Sequence, residues 1–277
     1  MNGAIVVNKE EGMTSRDVVN KLNKILNTKK IGHIGTLDPL ATGVLVCLIG
    51  KYTKLCNILI NHDKEYIVSF KLGILTDTLD ITGQVLKENN IVVTYDDVKK
   101  AVLDFPKEYL QEVPIYSAVK INGKKLYDYA RNGEDVELPF RKVNIYSMKL
   151  IDYKDNIVTL KVKVSKGTYI RALIRDICNN LGTYGTMLSL ERISLDKFSI
   201  KESYTLSDIE KGNYSLLSIE DILPCKVVNV DDVLYFKIKN GQRLNYQEEY
   251  VLFKYNGLDI ALYEKQSDNI IKPLIIF

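Results

Sequence analysis

Residues 32–49 read Gly-His-Ile-Gly-Thr-Leu-Asp-Pro-Leu-Ala-Thr-Gly-Val-Leu-Val-Cys-Leu-Ile. The second part of this stretch, Val44 to Ile49, is an unbroken apolar run of strand length, the pattern of a strand covered on both faces. The part before it, from Ile31 to Gly43, reads as a glycine-bearing loop. Within it Pro39 pushes Asp38 out of the α region and fixes it in an extended or turn geometry. Gly32, Gly35 and Gly43 let the backbone bend sharply around it. A carboxylate held in an apolar loop is costly unless it is paired or used. An Asp-Pro turn initiator is the simplest account of such a pair, but it leaves unexplained why a stiff, glycine-rich loop runs straight into a buried strand. Asp38 is therefore the first candidate for chemistry. A phosphate loop is excluded: there is no G-x-G-x-x-G, Gly50-Lys51 is followed by Tyr52, and Leu45 stands where a Walker A needs its first glycine.

Upstream, Gly3 to Asn8 reads as a strand, and Thr14-x-x-Asp17 resembles a capping box. Val18, Val19, Leu22, Ile25 and Leu26 then recur at helical spacing. Downstream, a short helix is expected from about Lys51 to Ile60, burying Leu55, Ile58 and Leu59. Tyr66, Val68, Phe70 and Leu72 share one face of an alternating strand, so the Tyr66 ring points inward. Thr94 caps a helix carrying Val98, Ala101, Val102 and Phe105. Val158 to Val164 alternates again and leads into a helix from Tyr169 to Asn180, with Gly182 as its stop. Arg171 lies in that helix's first turn, where the macrodipole disfavours a cation by roughly 0.3–1 kcal/mol. A carboxylate would offset this, and Asp38 is the obvious partner. Arg175, one turn on, reads as solvated.

Strands and helices are interspersed without a regular βαβ rhythm. The fold class is therefore α+β, with a mixed, largely antiparallel central sheet flanked by helices. After Cys225 short strand-like runs (Val227–Val230, Tyr250–Lys254, Asp259–Tyr263, Lys272–Phe277) are separated by Asn240-Gly241 and Asn256-Gly257, both read as turns. Residues 225–277 thus read as a small β-rich domain beside a larger domain of residues 1–224.

The 38 basic and 35 acidic side chains give a net charge of only +3 over 277 residues, so a nucleic-acid partner requires local clustering. Such a cluster exists: Lys120, Lys124 and Lys125 interleave with Tyr116, Tyr127 and Tyr129, with Arg131, Arg141 and Lys142 following. Cations mixed with aromatics suit an RNA backbone and unstacked bases; a solvated surface loop has the same composition. The four cysteines and two histidines have no zinc-site spacing, and cysteines in apolar surroundings read as reduced thiols of a cytoplasmic protein. No signal peptide or membrane span is expected from the short apolar runs.

These residues resemble the TruB-type pseudouridine synthases. Gly35-Thr36-Leu37-Asp38-Pro39-Leu40-Ala41-Thr42-Gly43 is similar to the family's signature loop. Val7-Asn8-Lys9 with Gly12-Met13-Thr14-Ser15, Asp63-Lys64-Glu65-Tyr66, Thr76 to Gly83, Pro114 to Lys120, Ser165 to Arg171 and Leu190-Glu191-Arg192 resemble further family motifs in the same order. Glu10 and Val113 stand where the family commonly has proline, which touches loop stiffness and not the chemistry. The resemblance implies that Asp38 is catalytic, that Arg171 pairs with it, and that Tyr66 contacts the target base and helps remove its C5 proton. It implies a thumb insertion at about 118–143 and a PUA-like C-terminal domain. Lys9, Lys64, Lys120 and Arg141 are expected at phosphates, His33 near displaced T-loop bases, and Tyr169 and Leu190 also at the RNA.

The implied reaction breaks the N1–C1′ bond of uridine 55 in the T stem-loop of tRNA, turns the flipped base and joins C5 to C1′. No cofactor, metal, membrane or obligatory protein partner is implied, and a monomer is expected. Attack at C6, attack at C1′ and deprotonation at C2′ stay open for Asp38. Three other readings compete: a glycosidase pairing Asp38 with Asp77 or Asp80, a tRNA-folding module acting beside or instead of catalysis, and a guide-RNA-dependent relative, whose long basic extensions this chain lacks.

Overall fold

The structure, a computed structural model, describes residues 1–59 and 62–277. Strand β1 (Gly3–Lys9) leads into helix α1 (Ser15–Ile25), where Thr14 and Asp17 exchange side-chain and backbone hydrogen bonds in a full capping box. Strands β2 (Ile31–Ile34) and β3 (Thr42–Ile49) follow. The stretch read as one loop from Ile31 to Gly43 is therefore shorter: its first four residues pair antiparallel with the far half of β3, Ile31 opposite Ile49 and Ile34 opposite Val46. β3 owes its continuous apolar sequence to burial on both faces. Leu45, Cys47 and Ile49 join one core cluster, and Val44, Val46 and Leu48 join the other. The helix expected from Lys51 to Ile60 is a 3-10 segment, Gly50–Leu55, running into α2 (Cys56–Leu59); Ile60 lies outside the described residues.

Strand β4 (Lys64–Leu72) buries Tyr66, Val68, Phe70 and Leu72, as its alternation predicts. A small hairpin, β5 (Ile74–Thr76) and β6 (Val85–Glu88), precedes α3 (Tyr95–Leu103), which Thr94 and Asp97 cap in the same manner as α1. Then come β7 (Glu108–Glu112), a two-residue hairpin β8 (Lys120–Ile121) and β9 (Lys124–Lys125), and α4 (Leu126–Asn132), which Gly133 ends in the left-handed region. The long hairpin β10 (Phe140–Lys154) and β11 (Ile157–Val164) feeds α5 (Ile170–Asn180), and β12 (Gly185–Leu195) and β13 (Phe198–Ser199) complete the main sheet.

The sheet order is β1-β3-β12-β4-β11-β10-β7, with β2 beside β3 and β13 beside β12. The pairings are antiparallel except for a short parallel contact in which Glu191 faces Thr42 and Arg192 faces Gly43. That contact and the β12–β4 ladder bring the end of the Asp38 loop, Arg192 and Tyr66 side by side. Helices α1, α3 and α5 cover one face; short helices α6 (Leu206–Glu210) and α7 (Ile219–Ile222) follow.

The last part is a five-stranded sheet, β14 (Lys226–Asn229), β15 (Leu244–Asn245), β16 (Tyr250–Tyr255), β17 (Leu258–Ser267) and β18 (Ile270–Ile276), ordered β14-β16-β17-β18-β15. Asn256-Gly257 joins β16 to β17 with positive φ at both residues, as an Asn-Gly hairpin requires. Asn240-Gly241 is different. It ends a helix, α8 (Asp232–Lys239), that the β-prone residues Val233, Tyr235, Phe236 and Ile238 conceal. Asp231 caps it, accepting from the Leu234 N–H at 2.8 Å. Leu252, Leu262 and Ile275 of this sheet pack in one cluster with Val44, Val46 and Leu48, so the second face of the main sheet is covered by the C-terminal part.

Candidate active site

Asp38 sits between β2 and β3, and three buried side chains fix the backbone around it. The Ser15 hydroxyl accepts from the Leu37 N–H at 2.9 Å and donates to the Leu37 carbonyl at 3.2 Å. Lys9 donates to the carbonyls of Glu10 at 2.8 Å, Met13 at 2.6 Å and Pro39 at 3.3 Å. Arg192 donates from Nε to the Val44 carbonyl at 2.7 Å and from Nη2 to the Gly35 carbonyl at 2.8 Å. All three bind backbone, which leaves the Asp38 carboxylate for other work.

That carboxylate is 40% exposed and meets the Arg171 Nη2 at 2.9 Å. Arg171 is only 7% exposed and is itself held on every side. Its Nη1 donates to the Thr78 carbonyl at 3.0 Å and its Nη2 to the Tyr116 carbonyl at 3.1 Å; Asp80 lies 3.9 Å away. A planar guanidinium with a fixed fork of donors suits this task, since each contact limits the others. Both carboxylates also offset the dipole at the start of α5. Arg175 is not solvated: it bridges Glu112 and Asp176, each at 2.9 Å.

The Thr76–Gly83 turn serves as a cradle for Arg171. Asp80 is buried and accepts from the Thr78 hydroxyl at 2.8 Å, the Thr82 N–H at 3.0 Å and the Thr82 hydroxyl at 2.5 Å. Asp77 accepts from the Thr78 and Gln84 N–H groups and from the Tyr116 hydroxyl. A glycosidase pairing of Asp38 with either residue would need a second carboxylate facing the same space. Asp38 is the only acidic residue lining the cleft among the described residues.

The cleft has a volume of about 690 Å³ and is lined by Asp38, Tyr66, Tyr169, Arg171 and Leu190 among others, with Lys64, Arg141, Lys142 and Lys166 adding cations. Tyr66 is 6% exposed, as expected for an inward ring, yet it reaches this space. The Tyr169 N–H donates to Gln111 Oε1 at 2.8 Å at the head of α5. Lys64 donates to the His62 carbonyl at 2.7 Å; burial, then the neighbouring Arg192 charge, pushes its ammonium down to about 8. Lys120 is exposed on the β8–β9 hairpin, away from the cleft wall. His33 pairs across from Cys47 on β2 and is partly buried, and that burial lowers its pKa below the ordinary value. Lys9 corrects an expectation. It is fully buried and donates to three carbonyls, so it is a loop clamp and not a phosphate contact.

Ser15, Thr78, Tyr116 and Arg192 all lie in stretches that resemble family motifs, but their roles were not legible there. The Ser15 clamp and the Thr78 and Tyr116 carbonyls are set by tertiary approach, which no spacing encodes, and only the β12–β4 ladder reveals what Arg192 faces.

Two comparisons bear on this geometry. The fold matches a crystal structure of a Cbf5-Nop10-Gar1 complex with a TM-score of 0.70, covering 99% of this chain and 85% of that one at 22% identity. A structure of an H/ACA RNP bound to a substrate RNA containing 2′-deoxyuridine gives 0.69, also at 22% identity, covering 99% of this chain and 84% of that one. At such identity the likeness defines the fold alone, an α+β arrangement of a large mixed sheet with a small C-terminal sheet packed beside it.

Residues 23–170 match the family described as TruB family pseudouridylate synthase (N terminal domain), and the chain belongs to that family. It is 43% identical over 258 residues to the tRNA pseudouridine synthase B of Caldanaerobacter subterraneus subsp. tengcongensis, covering 92% of this chain and 90% of the relative. Over 279 residues it is 39% identical to the protein of that name from Mesoplasma florum, covering 98% and 96%.

Proposed function

We propose that this enzyme isomerises uridine 55 in the T loop of tRNA to pseudouridine, with Asp38 as its essential carboxylate. The ion pair between Asp38 and Arg171 at 2.9 Å, at the wall of an otherwise cationic cleft, carries this reading. Relatives named tRNA pseudouridine synthase B support the choice of tRNA.

The reaction moves bonds within one nucleotide and consumes no second reagent. The base first leaves its stack, at a cost of a few kcal/mol. Tyr66 offers its ring to the flipped uracil, and Leu190 packs beside the same space. Asp38 then acts at C6, at C1′ or on the C2′ proton; the same carboxylate serves each route, and Arg171 prevents it from rotating away. As the N1–C1′ bond breaks, negative charge develops on the pyrimidine, which the cations of the cleft stabilise. Arg141 and Lys64 at the wall and Lys120 on the neighbouring hairpin are assigned to phosphates, and His33 to the displaced T-loop bases. The 118–143 segment is read as the thumb that grips the stem, and residues 225–277 as the PUA-like part. The enzyme acts as a monomer in the cytoplasm.

Transcripts labelled with [5-³H]uridine test the assignment. One tritium per tRNA should pass to water, and a transcript with cytidine at position 55 should release none. Release that survives this change, or free uracil among the products, overturns the proposal.

A further inference from the structure

Arg192 is the largest side chain fully enclosed in the protein, and its charge has no counter-ion. No carboxylate lies within 4.0 Å of it among the described residues, and its Nη1 makes no hydrogen bond. The nearest titratable cations add to the charge instead of cancelling it: Lys64 and Lys9 both feel Arg192 as a repulsive neighbour. Tying down the Gly35 and Val44 carbonyls does not require this arrangement, since a neutral donor could do so without burying an unpaired cation.

What Arg192 faces is Tyr66. The β12–β4 ladder places the two residues directly opposite each other. Burial lowers the pKa of the guanidinium, and the neighbouring Tyr66 phenol opposes that shift by favouring the charged form. On the other side Gly35 closes the space: a Cβ there would stand 3.2 Å from Nη1. Arg192 and Tyr66 thus stand side by side at the wall of the cleft, which both line.

We propose that Arg192 is a positioning residue for Tyr66, holding its phenol oxygen and stabilising the charge that oxygen gains while it takes the C5 proton of the isomerising pyrimidine. The inference rests on the reading of the cleft given above. Once C5 has bonded to C1′, its C–H bond breaks and the electron pair returns to the ring. The phenol proton leaves to water first, and the resulting phenolate oxygen then takes the C5 proton. Tyr66 ends unchanged, the C5 hydrogen ends in solvent, and N1 takes a proton from water. The phenol oxygen is most negative midway, when a cation beside it is worth most.

Single-turnover rates of the full chain on tRNA transcripts carrying protium or deuterium at C5 test this. Arg192→Lys keeps the buried charge but loses the fork of donors, and Arg192→Met removes both. Arg192→Lys should fold, bind tRNA within about 3-fold of wild type, and react about 10–100-fold more slowly with an increased C5 isotope effect. On a Tyr66→Phe background the same substitution should cost less than about 3-fold more, because its partner is gone. An unchanged isotope effect, or an undiminished loss on the Tyr66→Phe background, reduces Arg192 to a loop clamp and overturns the proposal. If Arg192→Met does not fold, Arg192→Lys still decides. Normal kinetics of Arg192→Lys beside an inactive Asp38→Asn protein would sink this inference alone, whereas an active Asp38→Asn protein would sink the reading beneath it.

Discussion

The role proposed for Asp38 requires a carboxylate that is reachable and immobile at once, and different neighbours meet the two demands. Asp38 keeps 40% of its side chain open to the cleft while Arg171 holds one oxygen from behind. The pairing was legible in the sequence because Pro39 marks a fixed carboxylate and a cation at a helix start asks for one. Lys9 was misread for a physical reason: a lysine near a loop looks like a phosphate contact until three carbonyls are seen to converge on it. Its burial makes a separate prediction. Burial pushes the ammonium from its ordinary 10.5 down to about 8. Between those pH values the unfolded chain binds more protons than the folded one, so Lys9 makes stability rise with pH there; below about pH 8 both states hold the proton and its contribution to the slope vanishes. Lys9→Met should remove up to ~1.4 kcal/mol per pH unit from that slope. Denaturant titrations at a series of pH values between about 8 and 10.5 check this, and parallel slopes for the two proteins across that window would count against it.

At the scale of elements, β4, β11, α1 and α5 were readable because each repeats one hydrophobic period over several residues, and β3 because its apolar run is unbroken. β2 and α8 were not. β2 is four residues long and contains a glycine and a histidine, so nothing alternates; its strand character comes from β3 alongside it. α8 is built of residues that suit a strand, and tertiary packing overrides their propensity. The junction between the Asp38 loop and β3 depends on Gly43, which has φ of 97° and lies against the Arg192 backbone, so that a methyl group would collide with the Arg192 carbonyl. Gly43→Ala should therefore destabilise the protein by roughly 3 kcal/mol or more, well above a simple positive-φ penalty. Thermal or urea unfolding measures it; a loss under about 1 kcal/mol would mean that the parallel β3–β12 contact is looser than described.

Over the whole molecule, the modest net charge of +3 hides an uneven distribution. Lys64, Arg141, Lys142 and Lys166 gather around one cleft, with Lys120, Lys124 and Lys125 on the neighbouring hairpin. Composition alone could not separate that cluster from a solvated loop, because the two alternatives differ in three-dimensional convergence and not in residue types. If these cations hold RNA phosphates, affinity for tRNA falls linearly on a log–log plot against salt, and Lys120→Ala lowers the slope by about 1 while weakening all tRNAs alike. Filter binding over a range of salt concentrations gives the slope, and a dissociation constant indifferent to salt would rule out the assignment. In the C-terminal sheet the β16–β17 hairpin was visible from its Asn256-Gly257 turn, whereas Asn240-Gly241 turned out to end a helix. The docking of that sheet against β3 was visible only as an unexplained second apolar face of β3.

The most direct test is Asp38→Asn, which preserves size and hydrogen bonding but removes the charge paired with Arg171. With the full-length protein and a 5-tritiated tRNA transcript, single-turnover tritium release should drop by at least ~10³-fold while the dissociation constant for tRNA stays within about 3-fold of wild type. Release at a rate comparable to wild type would show that the chemistry resides elsewhere than in the Asp38–Arg171 pair.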